Sequence, residues 1–298
     1  MAKDRAKALL AVSMLAVSAM AAVGCGGGDG GGSKKIAAVL YSRDVPYYQA
    51  IGEGIQQQAD DYGWDVNINY TQPDPSAAAD GVNTAAVQNP DGIIIDPIDP
   101  SALIPATKQA LGKGIPVVAL GDDLADPSAR TTYVGGDFVD YGRTKAQWIV
   151  DQLNGQGNVG IVHGIRGITF TEDQNMGATE VFAKNPGIHV VDGPYAGNFT
   201  ADVGLSATQN LLTANPNLDA IFFDNDDLAL GGAQAAQDRG LNNVLIVGTD
   251  GLAAGLAGLE KRQIDYTRAQ CAVDQGRAAV RALNDQFENG SVDARIVT

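Results

Sequence analysis

The chain has 298 residues, a length suited to about two domains. Its 20 basic side chains against 35 acidic ones give a formal charge of −15, which argues against nucleic acid as a partner, because neutralising phosphates needs a surface rich in Lys and Arg. Two Cys and two His provide neither a disulfide framework nor a zinc cluster, so no metal and no cofactor is expected.

The first 24 residues read as a signal peptide. Lys3, Arg5 and Lys7 precede an apolar or small stretch from Ala8 to Val23, which is short for a membrane span. It ends in AAVGC, which resembles a bacterial lipobox and implies lipidation of Cys25. Residues 25–35 then form the lipidated Cys and a Gly-rich tether, as a soluble domain anchored to a membrane needs.

From residue 36 onward short apolar runs alternate with amphipathic segments. The runs are Ile36–Leu40, Val66–Tyr70, Ile93–Ile95, Val117–Leu120, Val159–Val162, His189–Val191, Ala220–Phe223 and Val244–Val247. Helical patterns over 47–62, 76–88, 101–112, 139–153, 202–213, 227–239 and 252–261 separate them. Strands alternating with helices predict a parallel sheet covered on both faces.

The layout also repeats. NPDGIIIDPIDPSAL (89–103) parallels NPNLDAIFFDNDDLAL (215–230), and GIPVVALGDD (114–123) parallels NNVLIVGTDG (242–251). Asp96 and Asp122 are 26 residues apart, as are Asp224 and Asp250. The expected architecture is therefore α/β, with two similar doubly wound parallel-sheet lobes. Ligands of such sheets bind outside the carboxyl ends of the strands, so the polar groups there would face each other across a cleft.

These motifs, with QNLLTANP (209–216), FFDNDDLALGG (222–232), VGTDG (247–251) and TRAQ (267–270), resemble type I periplasmic binding proteins of the ribose-binding protein kind, over roughly residues 36–297. The resemblance implies a hinge of three crossings, near 136–137, 270–271 and 292–293. It assigns 36–137 with 271–292 to the N-terminal lobe and 138–270 with 293–298 to the C-terminal lobe. It further implies a monosaccharide or polyol ligand bound by closure, an ABC permease as partner, a lipid anchor to the membrane and a monomeric state.

Carried over by motif, Tyr47 and Tyr48 match ring-stacking aromatics after the first strand, although Val45 replaces the usual Asn. Asp122 and Asp123 stand near an Asp-Arg position. Glu172 and Gln174 stand where an Arg is usual, and Phe199 matches a second-lobe aromatic. Asn225, Asp250 and Gln270 match hydroxyl-binding residues. Asp44 and Asp173 complete an acceptor-rich set, for which Arg43, Arg166 or Arg268 could supply a donor. Asp226 and Asp227 read as caps of the following helix. Carboxylates and amides satisfy sugar hydroxyls, and aromatic rings cover sugar C–H faces.

Two alternatives remain. One is a sensing lipoprotein, because Asp173 and Gln174 in EDQN resemble an autoinducer-2 receptor pair. The other is an enzyme on the same scaffold, with Glu172 or Asp173 as base. A metal site at Asp224, Asp226 and Asp227 lacks the calcium-loop Gly and Glu.

Overall fold

A computed structural model describes residues 33–71 and 74–298. The signal peptide, Cys25 and most of the tether lie outside the described residues. The first part of the chain runs β1 (Lys35–Leu40), α1 (Pro46–Tyr62), β2 (Asp65–Tyr70), α2 (Pro75–Val87), β3 (Gly92–Ile95), α3 (Ile104–Gly112), β4 (Val117–Leu120) and β5 (Thr132–Gly135). The second runs α4 (Phe138–Gln152), β6 (Gly157–His163), α5 (Thr169–Phe182), β7 (Ile188–Tyr195), α6 (Ala201–Ala214), β8 (Ala220–Phe223), α7 (Asp226–Asp238), β9 (Leu245–Asp250), α8 (Ala253–Glu260) and β10 (Tyr266–Ala269). Then follow α9 (Ala272–Asn289) and β11 (Arg295–Val297).

The strands form two parallel sheets, ordered β11-β5-β4-β3-β1-β2 and β10-β9-β8-β6-β7. Central strands such as β3, β4 and β8 are buried along their whole length and read as unbroken apolar runs, whereas the edge strand β2 is nowhere fully buried. Helices cover both faces of each sheet, so apolar layers lie above and below it.

Three helix pairs come together backbone to backbone through facing glycines: Gly54 of α1 with Gly276 of α9, Gly142 of α4 with Gly177 of α5, and Gly204 of α6 with Gly231 of α7. A Cβ at any of the six would collide with a backbone oxygen of the partner helix, so only Gly allows the approach.

The chain leaves the first sheet at β5 and enters the second lobe at α4. It returns between β10 and α9. The assignment of 293–298 to the C-terminal lobe is corrected. β11 pairs with β5, Arg295 with Tyr133 and Val297 with Gly135, so 292–293 is a turn within the first lobe. The backbone decides this: the N–H of Tyr133 donates to the carbonyl of Ala294, and that of Thr298 to the carbonyl of Gly135. Among the described residues the chain therefore crosses twice. No described helix is long and apolar enough to cross a membrane.

Candidate functional site

The carboxyl ends of the two sheets face one another across a pocket lined by Val45, Tyr47, Tyr48, Gly121, Asp122, Phe138, Phe170, Phe199, Asn225, Asp250 and Gln270. Seven of the sequence-predicted residues meet there: Tyr47, Tyr48, Asp122, Phe199, Asn225, Asp250 and Gln270.

The aromatic wall follows from helix starts. Val45 and Pro46 open α1 and bring Tyr47 and Tyr48 into its first turn, where both are buried. Tyr48 packs edge-on against Tyr47 and Tyr41, with ring centroids 5.2 and 5.3 Å apart. The Tyr47 hydroxyl donates to Gln275 Oε1 at 2.5 Å, which fixes the ring. On the opposite lobe, Phe170 lies edge-on to Phe138 at 5.1 Å and to Phe199 at 5.6 Å. Sequence reasoning missed Phe138 and Phe170. A signal for Phe170 exists, since it is the second residue of α5 as Tyr47 is of α1.

The polar groups sit at strand ends. Asn225, rather than Asp226 or Asp227, caps α7, its Oδ1 accepting from the Leu228 N–H at 2.9 Å. Its Nδ2 has only long contacts, to the Phe199 carbonyl at 3.4 Å and to Asp250 Oδ2 at 3.5 Å, and so remains available as a donor. Asp226 instead accepts from the Gly251 N–H and the Thr267 hydroxyl, both at 2.9 Å. Asp250 ends β9 at φ 135°, a strained conformation for a non-glycine residue. Its carboxyl accepts from Gln270 Nε2, and Gln270 Oε1 is buried without a partner.

Asp122 bridges the lobes. Its Oδ1 accepts from the Phe170 N–H at 2.7 Å, one of the unpaired donors in the first turn of α5, a helix with no side-chain cap of its own. Burial pushes the Asp122 pKa up to about 7. Burial likewise raises Asp250 well above the usual carboxylate range, with Asp226 adding to the effect. A carboxyl that keeps its proton both donates and accepts, as a hydroxyl ligand requires.

The remaining predicted residues lie elsewhere. Asp44 is exposed on the surface beside Arg43 and Tyr70. Asp123 forms a two-pronged ion pair with Arg130, at 2.5 and 2.8 Å. Glu172 is exposed and accepts from the Gly167 N–H at 2.8 Å. Asp173 is half-buried outside the pocket. Gln174 is buried in the second lobe, donating to the carbonyls of Phe170 and Asp224 and accepting from the Thr249 hydroxyl. The three candidate arginines are stacked on tyrosines instead of lining the pocket: Arg43 on Tyr70, Arg166 on Tyr195 and Arg268 on Tyr141.

A family profile described as a periplasmic binding protein domain matches residues 36–291. The chain belongs to the periplasmic binding protein family. Its two parallel-sheet lobes are the type I fold of that family. The ribose import binding protein RbsB of Bacillus subtilis (strain 168) is 30% identical over 251 residues, covering 84% of this chain and 81% of that protein. The xylitol-binding protein of Mycolicibacterium smegmatis is 32% identical over 251 residues, covering 81% of this chain and 71% of that protein. The crystal structure of a periplasmic ribose ABC transporter from Conexibacter woesei superposes with a TM-score of 0.79 at 39% identity, covering 90% of this chain and 92% of that one. In this periplasmic binding protein the pocket lies between the lobes, at the strand ends where the doubly wound fold directs ligands.

Proposed function

We propose that this protein is an extracytoplasmic receptor that delivers a monosaccharide or polyol to an ABC permease, closing its two lobes around the ligand. One observation carries the reading: five aromatic rings and four carboxyl or amide side chains converge on one interlobe pocket among the described residues, with no Lys or Arg lining it. Rings cover C–H faces, while protonated or ionised carboxyls and amides satisfy hydroxyls that both donate and accept. An anionic ligand would find no opposite charge in the pocket. The names of the relatives, which bind ribose and xylitol, agree with this class.

Ligand contact with both lobes favours the closed state by its differential affinity for that state. Asp122, already bonded to the second lobe, gives closure a defined register. The proposal includes lipidation of Cys25 as the anchor and a monomer as the working unit. The autoinducer-2-type and enzymatic readings lose their motivation, because Glu172, Asp173 and Gln174 do not line the pocket.

The test is calorimetric titration with D-ribose, xylitol and a panel of pentoses, hexoses and polyols. At least one is expected to bind at micromolar Kd or tighter, a free energy of about −8 kcal/mol, and Asp250→Ala to weaken it at least about 100-fold, the loss of a buried hydrogen-bonded group. Unaltered affinity in Asp250→Ala would refute the assignment of the site.

A further inference from the structure

Beside the inner pocket lies a second, larger space of about 530 Å³, a groove with walls from both lobes. Tyr41, Asp96, Asp99 and Ser101 line it from the first lobe, and Ile165 and Arg166 from the second. Asp96 lines the groove and lies behind Gly121 of the inner pocket. That residue follows β3, is 3% exposed, and has both carboxyl oxygens buried without a hydrogen-bond partner. Gly121 separates it from the inner pocket: a Cβ there would lie 3.5 Å from Asp96 Oδ2 and 3.3 Å from the Tyr47 hydroxyl.

Two buried acceptor atoms left unsatisfied cost free energy, and a native structure keeps such a group where a partner arrives from outside. Burial also raises the Asp96 pKa well above the usual carboxylate range, with Asp122 adding to the effect. A proton on this carboxyl equips it to donate as well as accept.

The aromatic surface is continuous across the junction. Tyr48 lines the inner pocket and Tyr41 the groove, and their rings pack edge-on. The Tyr41 hydroxyl makes a 3.5 Å contact with Asn198 Oδ1 of the second lobe. On the far wall the Arg166 guanidinium is stacked 3.7 Å over Tyr195, a donor held in place by its ring.

We propose that this groove is a second subsite, taking the second ring of a neutral disaccharide or comparable glycoside whose first ring occupies the inner pocket. The inference rests on the sugar-binding reading and extends its ligand class. An anionic unit is disfavoured by the first-lobe wall, where Asp74 and Asp99 would oppose it. The size follows from the groove, which exceeds what the inner pocket offers one ring and has the dimensions of a site for a larger ligand.

The test uses the full chain and matched probes: D-xylose with xylobiose, D-glucose with cellobiose, and D-galactose with lactose, titrated calorimetrically beside D-ribose and xylitol. At least one disaccharide is expected to bind tenfold or more tightly than its monosaccharide. Asp96→Asn should bring that disaccharide to the level of its monosaccharide, while the monosaccharide Kd moves less than threefold. Ser101→Trp fills the groove from an exposed position and should do the same without touching the buried carboxyl, so a folding defect in Asp96→Asn cannot mimic the result. The subsite is overturned if monosaccharides bind and no disaccharide exceeds them, or if the advantage survives both variants. If no probe binds at all, the sugar-binding reading itself fails, and the subsite falls with it.

Discussion

Asp122 makes stability depend on pH with a defined sign. Its pKa is about 7 in the folded chain, raised by burial, and near 3.9 unfolded. Between those values the folded chain holds a proton that the unfolded chain has released, so stability falls as pH rises. One such group contributes about 1.4 kcal/mol per pH unit, hence about 2–3 kcal/mol between pH 5 and 7. Asp96 and Asp250 are raised by burial as well and add to the same slope. Lys145 acts in another window. It is fully buried, with Nζ donating to the Phe223 carbonyl at 2.8 Å, and burial pushes its pKa down to about 7. The folded chain therefore loses this proton at about pH 7 and the unfolded chain near 10.4, so Lys145 raises stability only above pH 7. In Asp122→Asn the amide oxygen still accepts from the Phe170 N–H, but the titration is gone. For a chain of this size each kcal/mol moves Tm by about 2–4 °C. Calorimetric scans of the ligand-free protein at pH 5, 6, 7 and 8 should show the wild-type Tm falling by at least about 5 °C between pH 5 and 7. The Asn variant should fall less steeply and melt above wild type at pH 7. A flat or rising wild-type Tm over this interval, or an unchanged slope in the variant, would refute the argument.

Two further outcomes follow from backbone geometry. Asp250 has φ 135°, which glycine adopts freely, so Asp250→Gly should be more stable than Asp250→Ala by about 1–2 kcal/mol in urea unfolding, although both should lose ligand affinity; equal stability would mean that no strain is stored there. Gly177→Ala would force a Cβ onto the Val139 carbonyl oxygen across the α4–α5 contact and should cost at least about 2 kcal/mol, read as a lowered urea midpoint; a midpoint like that of wild type would disprove the close approach.

The legible parts of the sequence were those where local pattern and burial coincide. Central strands such as Ile93–Ile95 and Ala220–Phe223 are buried on both faces and therefore appear as apolar runs. The strands not anticipated were β5 and β10, of four residues each. β10 is a sheet edge with little buried surface, and β5 contributes only TYVG between polar residues and glycines. The pairing of β11 with β5 is a long-range fact, invisible to periodicity, and it moved the last six residues to the other lobe. The strand-end rule found Asn225 and Asp250. It could not separate Asp122 from Asp123, neighbours whose fates diverge because Arg130, seven residues on, captures one of them.

The run Asp224-Asn225-Asp226 resolves into a division of labour. Asp224 accepts from the Gly164 N–H at 2.7 Å and so ties the end of β8 to the loop after β6. Asp226 ties the start of α7 to the turn after β9 through Gly251, and to β10 through Thr267. Between them Asn225 is held with its amide nitrogen free, close to Asp250. Lys145 stands beneath this cluster, its positive charge lowering the pKa values of Asp224, Asp226 and Asp250 against the burial that raises them. The buried cation thus acts from behind the site, on the carboxyls that brace the loops, and no Lys or Arg needs to enter the pocket itself. Carboxyls that brace the backbone and carboxyls that face the pocket are the same residue type at adjacent strand ends. In the second lobe the hydrogen bonds they receive tell them apart: backbone N–H groups and a threonine for Asp224 and Asp226, and amide side chains with spare capacity for Asp250.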